Sequence, residues 1–421
     1  MDNILPPPKR IPRKGRRIYE NKESAQPLID VQMAIRNTDE GSTQHQGNGF
    51  KEGFEVVVFE RDASIDARLR DWFILLHWSM AILKELLPEH VFKSLPKSYC
   101  NPHLEFNEWD ESMPFYSSLT GEILFRSPIP GSRRASRLRL RKVLADGVDI
   151  KWGKFLEQMI LGKLSIKLVF KDCGETFDAD YVLGTDGTSS KVRELLMGVE
   201  DAKPVPSGFS TASCVCKYRD ANKVNAVRKA HSVCAFMIGS NNMAGCGISS
   251  VDDPRDVSTW ETFWIKVWRG RSVSLQGQEA IEYATKDLAG ICEPFRSALE
   301  WTPRDSACYV GEMNYWLPSP WETHDGRVTL AGDAAHPMLP FRGQGLQHAI
   351  IDVQKYAVAL RRLRGTDSTI NRKEIMLAYG ADVVERGYKA VAQSLKEAEN
   401  SLDINTVGQT LMFTQGHGRS V

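Results

Sequence analysis

The sequence of 421 residues is short of several things, and each shortage narrows the field. Net charge is nearly absent: 54 Lys and Arg stand against 53 Asp and Glu, a formal +1. No global field therefore draws the chain to nucleic acid or to an anionic membrane surface. No apolar run approaches the roughly 18 residues of a membrane span. The first residues lack the apolar stretch of a secretory signal. Cysteines are few and scattered: Cys100, Cys173, Cys214, Cys216, Cys234, Cys246, Cys292 and Cys308, with no C-x-x-C pair. Cys214-Val-Cys216 is the nearest pairing and reads as alternating strand positions. So sparse a set implies no disulfide framework and fits a reducing, cytoplasmic location. His336 and His348 have no H-E-x-x-H or Cys partner, so no metal site is expected, and His336 reads as a loop hydrogen-bonder. The rest is ordinary: 42% hydrophobic and 25% charged residues, in a length that suits two or three domains.

Residues 1–50 lack the composition of a folded segment. "PPPKRIPRKGRR" joins prolines to six basic residues, and "RNTDEGSTQHQGNG" is polar and glycine-containing. Such stretches bury too little apolar surface to offset chain entropy, so a tail is expected. The cluster Lys9 to Arg17 reads as a solvated tail, with a nuclear signal or an anion-binding arm as the lesser readings. Order begins at "GFEVVVFERD", where Phe54–Phe59 has the continuous apolar pattern of a buried parallel strand. "DWFILLHWSMAILKELLP" reads as one apolar helix ending before Pro88. "RLRLRKVLADGVDIKWG" reads as a basic-faced helix, a turn at Gly147 and a strand; "LSIKLVF" and "DADYVLGTDG" follow as strands. Residues 208–270 read as mostly antiparallel sheet. Trp260, Trp264 and Trp268 there fit helical spacing or a strand, as core or pocket wall.

The most informative stretch is "TLAGDAAHPMLPFRGQGLQ", residues 329–347. A strand ends on Gly332-Asp333, and ligands of α/β folds sit at the carboxyl ends of strands. Asp333 would offer its carboxylate there to the hydroxyls of a polyol. Pro340 fixes the loop, and a strong helix begins near Gly343 to Gly345. Leu346, Ala349, Ile350, Val353, Ala357 and Leu360 form one face of it. Its positive N-terminal end, approached closely through glycine, suits the N1/O2 edge of a flavin, which becomes anionic on reduction. A last helix is expected over 372–400. Strand–helix alternation at both ends, with a sheet-rich block between, predicts a discontinuous α/β nucleotide-binding domain interrupted by a second domain.

With these motifs the sequence resembles the FAD-dependent monooxygenases of the aromatic-hydroxylase type, in particular their fungal secondary-metabolism branch. The match runs through Gly332, Asp333, Ala334, Ala335, His336, Pro340, Gly343, Gln344 and Gly345. It continues in "YVLGTDGTSSKVR" at Gly184, Asp186, Gly187, Ser190 and Arg193, in "FEVVVFERD" at Glu60, and in "SRLRLRKVL" at Arg137. The resemblance covers roughly residues 51–400. It implies an FAD-binding Rossmann-like domain, residues 51–204 and 316–370, around a mostly antiparallel substrate domain, 205–315, with a C-terminal helix and tail, 371–421. It further implies that Glu60 binds the adenosine ribose, that Arg137 contacts FAD, and that Asp186 and Gly187 lie beside the pyrophosphate. Asp333, Pro340, Gly343, Gly345 and Leu346 then hold the ribitol and flavin. Read alone, Arg137 fits a solvated helix face equally well.

One family feature is lacking. A strand, G-x-G-x-x-G and a helix should stand about 30 residues before Glu60, where the glycines admit the pyrophosphate to a helix N-terminus. "PLIDVQMAI" has the look of a remnant of that strand, but no such glycine turn or apolar helix follows. The domain therefore reads as incomplete at its N-terminus, by deletion or by a wrongly translated start, with FAD affinity lowered. The resemblance implies that NADPH, bound transiently, reduces FAD, and that one oxygen atom of O2 passes to the substrate. The apolar and aromatic residues of 205–315 suggest an apolar substrate. Two other classes stay open: a non-catalytic flavin-fold remnant, and a flavin dehydrogenase or oxidase that inserts no oxygen. No catalytic base can be assigned.

Overall fold

The computed structural model describes residues 31–37, 54–67, 70–105, 107, 110–171, 174–363 and 369–418. Five strands make the first sheet. Numbered in chain order they are β1 (Val31–Asn37), β2 (Phe54–Phe59), β3 (Ile150–Lys151), β4 (Tyr181–Thr185) and β5 (Val328–Leu330). They lie in the order β5-β4-β1-β2-β3. β2 pairs in parallel with β3, and β4 in parallel with β5. β1 fills the central place and runs antiparallel to both neighbours.

This corrects one expectation. Residues 1–50 were predicted to be a tail, yet Val31–Asn37 is the central strand; the rest of that stretch, with the Lys9–Arg17 cluster, lies outside the described residues. β2 and β4 each present a row of backbone donors and acceptors that must be paired, and "VQMAI" is a strand-forming sequence. Antiparallel neighbours can be joined without a crossover helix, and residues 38–53 carry no apolar helical pattern. The strand reads as a remnant of the family strand in place only, because its direction is reversed.

Four helices frame the sheet: α1 (Arg137–Leu144), α2 (Lys191–Met197), α3 (Gly345–Leu363) and α4 (Thr369–Ser401). On α3 the predicted face is buried at Ile350, Val353, Ala357 and Leu360. Ile350 and Val353 pack with the Leu76 and Leu83 cluster, while Tyr356 and Leu360 join the core of the five-stranded sheet. A three-stranded sheet, residues 156–161, 166–170 and 176–179, covers that core. Phe170 and Phe177 lie 4.6 and 5.1 Å from Phe59, ring to ring.

The second body is an eight-stranded, mostly antiparallel sheet. Val205–Cys216, Cys234–Ile238, Asn242–Ser250, Glu261–Arg269 and Ala307–Tyr315 supply most of it. Ser112–Ser117 and Ile123–Pro128 add two strands from earlier in the chain. Glu261–Arg269 settles the tryptophan spacing as a strand, with Trp264 fully buried opposite Cys214. The single helix expected over residues 71–87 is instead a strand, Phe73–Leu76, followed by a helix, Met80–Leu86. The strand pairs with Arg133–Ser136, a partner about sixty residues away that local periodicity does not show. Among the described residues no helix is long and apolar enough to cross a membrane.

Candidate active site

The parallel strands deliver three acids to one edge of the first sheet. β2 ends at Glu60, β4 at Asp186 and β5 leads to Asp333. β1 runs the other way: Val31 lies opposite Thr185 at that edge, and Asn37 lies opposite Phe54 at the far edge. β1 therefore leaves its last described residue, Asn37, at the edge away from the three acids. Among the described residues β1 brings no glycine turn to the edge that carries the three acids.

A cavity of about 1120 Å³ runs from this edge to the large sheet. Arg137, Asp186, Gly187, Asp333, Pro340, Gly343, Gly345 and Leu346 all line it. Glu60 does not. It is fully buried; Arg141 Nη2 donates to its carboxylate at 2.8 Å and the Asp62 backbone N–H at 3.0 Å. The ribose role expected for Glu60 is thus not displayed by its geometry, because α1 has placed an arginine against it. Arg137, by contrast, is not on a solvated face. It is buried at the start of α1, its guanidinium carbon 4.8 Å from the centre of the Trp72 ring, on the cavity wall.

Asp186 ends its strand by fastening a helix. Its carboxylate accepts from the Lys191 and Val192 backbone N–H groups at 2.6 and 3.1 Å and from Ser190 Oγ at 2.5 Å. Gly187 turns the chain at φ +80°, a conformation that favours glycine. Three residues after Ser190, Arg193 is wholly buried. It donates to the carbonyls of Ala334 at 2.8 Å, Ala202 at 2.9 Å and Thr188 at 2.5 Å, and lies over Trp316. Burial pulls its pKa down to about 10, which leaves it charged at neutral pH. Arg193 therefore staples the Asp186-Gly187 turn to the Asp333 loop. Its motif was legible in sequence, but this bridging job was not.

The Asp333 loop has a second anchor, which sequence reasoning missed. Asp352 on α3 is fully buried. It accepts from the Gly332 backbone N–H at 2.7 Å, lies 2.6 Å from His336 Nε2, and accepts from Arg386 Nη2 on α4 at 2.7 Å. Burial alone would raise its pKa, but His336, Arg386 and the Gly332 N–H bring it down to about 2. His336 thus serves as the expected loop hydrogen-bonder. The partners of Asp352 lie 16 and more residues away, so no local motif signals them.

Beyond the loop, Gly343 stands at φ +61° and Gly345 opens α3 with no heavy atom closer than 3.9 Å to an added Cβ. The first free N–H groups of a nineteen-residue helix face this point. Arg342 donates to the carbonyls of Gly416 and Gly418 at 3.0 and 2.9 Å, and Gln344 to that of His417 at 3.1 Å. The C-terminal segment is thereby laid against the glycine loop, and Met412 and His417 become cavity wall. His77, beside Gly343, is held near pKa 4 by burial, against a Gly343 backbone hydrogen bond that works the other way, so it is neutral at neutral pH.

The residues thus fit one end of FAD closely. A carboxylate at a strand end, a left-handed glycine and an open helix N-terminus suit the ribitol and the anionic edge of a reduced flavin. The edge beside Glu60 is built differently, around a reversed strand and an acid already paired.

A model of the family described as "FAD binding domain" matches residues 145–392. The FAD-dependent monooxygenase phnB of Penicillium herquei is 32% identical over 375 residues, covering 87% of this chain and 90% of the relative. The FAD-dependent monooxygenase cctM of Talaromyces islandicus is 32% identical over 374 residues, covering 87% and 91%. The crystal structure of CtdE with FAD and a substrate superimposes with a TM-score of 0.67 at 15% identity, over 83% of this chain and 84% of that one.

Proposed function

The chain belongs to the FAD-dependent monooxygenases, and we propose that it uses NADPH and O2 to place one oxygen atom on a small, largely apolar secondary metabolite, by hydroxylation or epoxidation. One observation carries this reading: a single cavity joins the glycine loop and Asp333 to the aromatic face of the large sheet. Ligand pockets for one small molecule span roughly 300–1,000 Å³, so this volume suits a flavin head and a substrate together. FAD, when bound, supplies the activation of O2.

The chain's own groups supply placement and dryness. Asp333 accepts ribitol hydroxyls. Gly343, Gly345 and Leu346 let the ring approach the start of α3. Arg193 and Asp352 hold the loop rigid from behind. Phe115, Phe236, Phe263 and Trp264 wall the substrate side and exclude water. NADPH is used in passing and has no domain of its own.

A second reading is favoured by the reversed β1 and by the Arg141–Glu60 pair: a flavin-fold protein whose weakened FAD binding has cost it turnover. One experiment separates the two. The purified full chain is supplied with excess FAD, NADPH and a panel of aromatic metabolites under labelled O2. The monooxygenase reading expects NADPH oxidation and a product carrying one labelled oxygen atom. NADPH oxidation with no labelled product, on any substrate that it accelerates, would point to a dehydrogenase or oxidase. No NADPH oxidation under saturating FAD would support the impaired form.

A further inference from the structure

The cavity has two apolar walls that differ in stiffness. One is made of rings. Phe115 stands between Phe236 and Phe125, stacked at 5.4 and 4.5 Å, and Phe73 meets Phe263 at 5.0 Å. A ring packed against rings has little room to turn, so this wall keeps its shape. The other wall is made of thioethers. Of the chain's 12 methionines, Met113, Met243, Met313, Met338 and Met412 line the cavity. Among the described residues the buried core between the large sheet and its helices, around Val224, Ile281 and Phe295, holds Met237 alone. Methionine is therefore concentrated at the cavity rather than spread through the apolar interior.

Met243 and Met313 stand where this matters most. They share one apolar cluster with Phe209, Val267 and Leu339, and Phe341 packs against it. That cluster joins the large sheet to the loop on either side of Pro340, where flavin and substrate would meet. Met338, in the same loop, has its Cγ 3.9 Å from the position of a Cβ on Gly345. Met113 is pinned, because Cys234 donates its S–H to Met113 Sδ at 3.3 Å. Among the described residues neither Met243 nor Met313 has such a tie. An unbranched thioether repacks through several rotatable bonds and uncovers no polar group as it does so. A stiff apolar pocket resolves one methylene by roughly 10–200-fold, and a wall that repacks gives up that resolution.

We infer that the substrate site is adaptable: it accepts apolar ring systems of different outline with little discrimination between isomers, and Met243 and Met313 set that breadth. The stacked phenylalanines give a fixed floor on which the rings seat. The thioethers close over whatever outline is left. The chain thus takes a set of related apolar molecules rather than one. The inference rests on the monooxygenase reading only in calling the ligand a substrate.

The test measures binding without turnover. Equilibrium dialysis of the full chain, in excess FAD, is run with two pairs of neutral isomers: 1- and 2-naphthamide, and biphenyl-2- and biphenyl-4-carboxamide. Within a pair composition and polarity match, so only outline differs. The parent chain should bind the members of each pair within about threefold of one another. Joint Met243→Ile and Met313→Ile substitution keeps the wall apolar but makes it stiff at χ1. It should open at least one pair to roughly tenfold or more, with the denaturant midpoint and FAD affinity little changed. Leucine at both positions, close in volume and unbranched at Cβ, should give a smaller spread. A parent chain that separates either pair tenfold would overturn the inference, whether or not the isoleucine chain folds. So would no detectable probe binding at millimolar concentration. A folded isoleucine chain that weakens all four probes alike, or keeps both pairs even, would give the breadth to the size of the cavity instead and remove the methionines from it. No oxygen transfer is measured, so failure here leaves the monooxygenase reading standing, and failure of turnover leaves the adaptable site standing.

Discussion

At one edge of one sheet, two acids end two strands and meet different fates. Asp333 opens onto the cavity, backed by an arginine and by a buried carboxylate–histidine–arginine cluster. Glu60 is closed off, its carboxylate held by Arg141. The sheet is otherwise continuous, so the contrast comes from what stands beside each strand. Next to Asp333 the parallel strand β5 leads into a glycine loop and a long helix, which orient their donors to the edge. Next to Glu60 stands β1, whose reversed direction places its last described residue, Asn37, at the far edge. A cofactor site of this kind is made by strand direction as much as by residue identity.

The buried anchor should be the most damaging place to break the stronger half. Asp352→Ala would leave the buried His336 and Gly332 N–H without their carboxylate and Arg386 with Asp382 alone, at a cost of about 3–5 kcal/mol, measured as a loss of denaturant midpoint. The same group sets an acid limit. Its folded pKa, about 2, lies below the ordinary carboxylate value, so its contribution is intact above that ordinary value and is lost as pH falls through the folded one. Between about pH 4 and 2 the parent chain should lose stability more steeply than Asp352→Asn. Parallel curves would show that the cluster contributes nothing through charge.

Arg193→Met comes next. It severs the Asp186-Gly187 turn from the Asp333 loop, and should cost about 2–4 kcal/mol of stability together with FAD affinity. Retention of FAD affinity by this variant would mean that the two motifs hold their places independently. Asp333→Ala removes one charge-assisted bond to the ribitol. FAD should bind roughly tenfold or more weakly, a loss of about 1.5–3 kcal/mol, with the fold unchanged. Equal flavin occupancy by absorbance would remove Asp333 from the site.

The smallest effect on flavin is expected at Glu60. Glu60→Gln weakens the pair with Arg141 and should cost about 1–2 kcal/mol of stability, with FAD affinity changed by less than roughly threefold. A tenfold loss of FAD affinity at unchanged stability would instead restore the ribose role and erase the contrast between the two acids.

Much of this site was legible because it is local. "GDAAHPMLPFRGQG" carries its turn, its proline and its helix start in one run, and "FEVVVF" announces a buried strand. What escaped is long-range. Asp352 and Arg386 sit inside helical patterns where nothing marks a polar core. "FILL" was absorbed into a helix because its strand partner is remote. The C-terminal segment became cavity wall through Arg342 and Gln344, whose hydrogen bonds have no sequence signal. β1 was visible as a possible strand, but direction is a property of the sheet and cannot be read from "VQMAI".

The central claim, that the described residues build the flavin end of the site and offer no glycine turn for the diphosphate, rests most directly on the FAD dissociation constant. The full chain, stripped of flavin, is titrated with FAD by fluorescence quenching. Two or three missing charge-assisted bonds would remove about 3–9 kcal/mol from binding. A nanomolar site holds roughly 12 kcal/mol, so the account predicts a micromolar or weaker constant and a largely colourless protein as purified. A protein that purifies yellow with stoichiometric FAD, and rebinds it at nanomolar concentration, would contradict it.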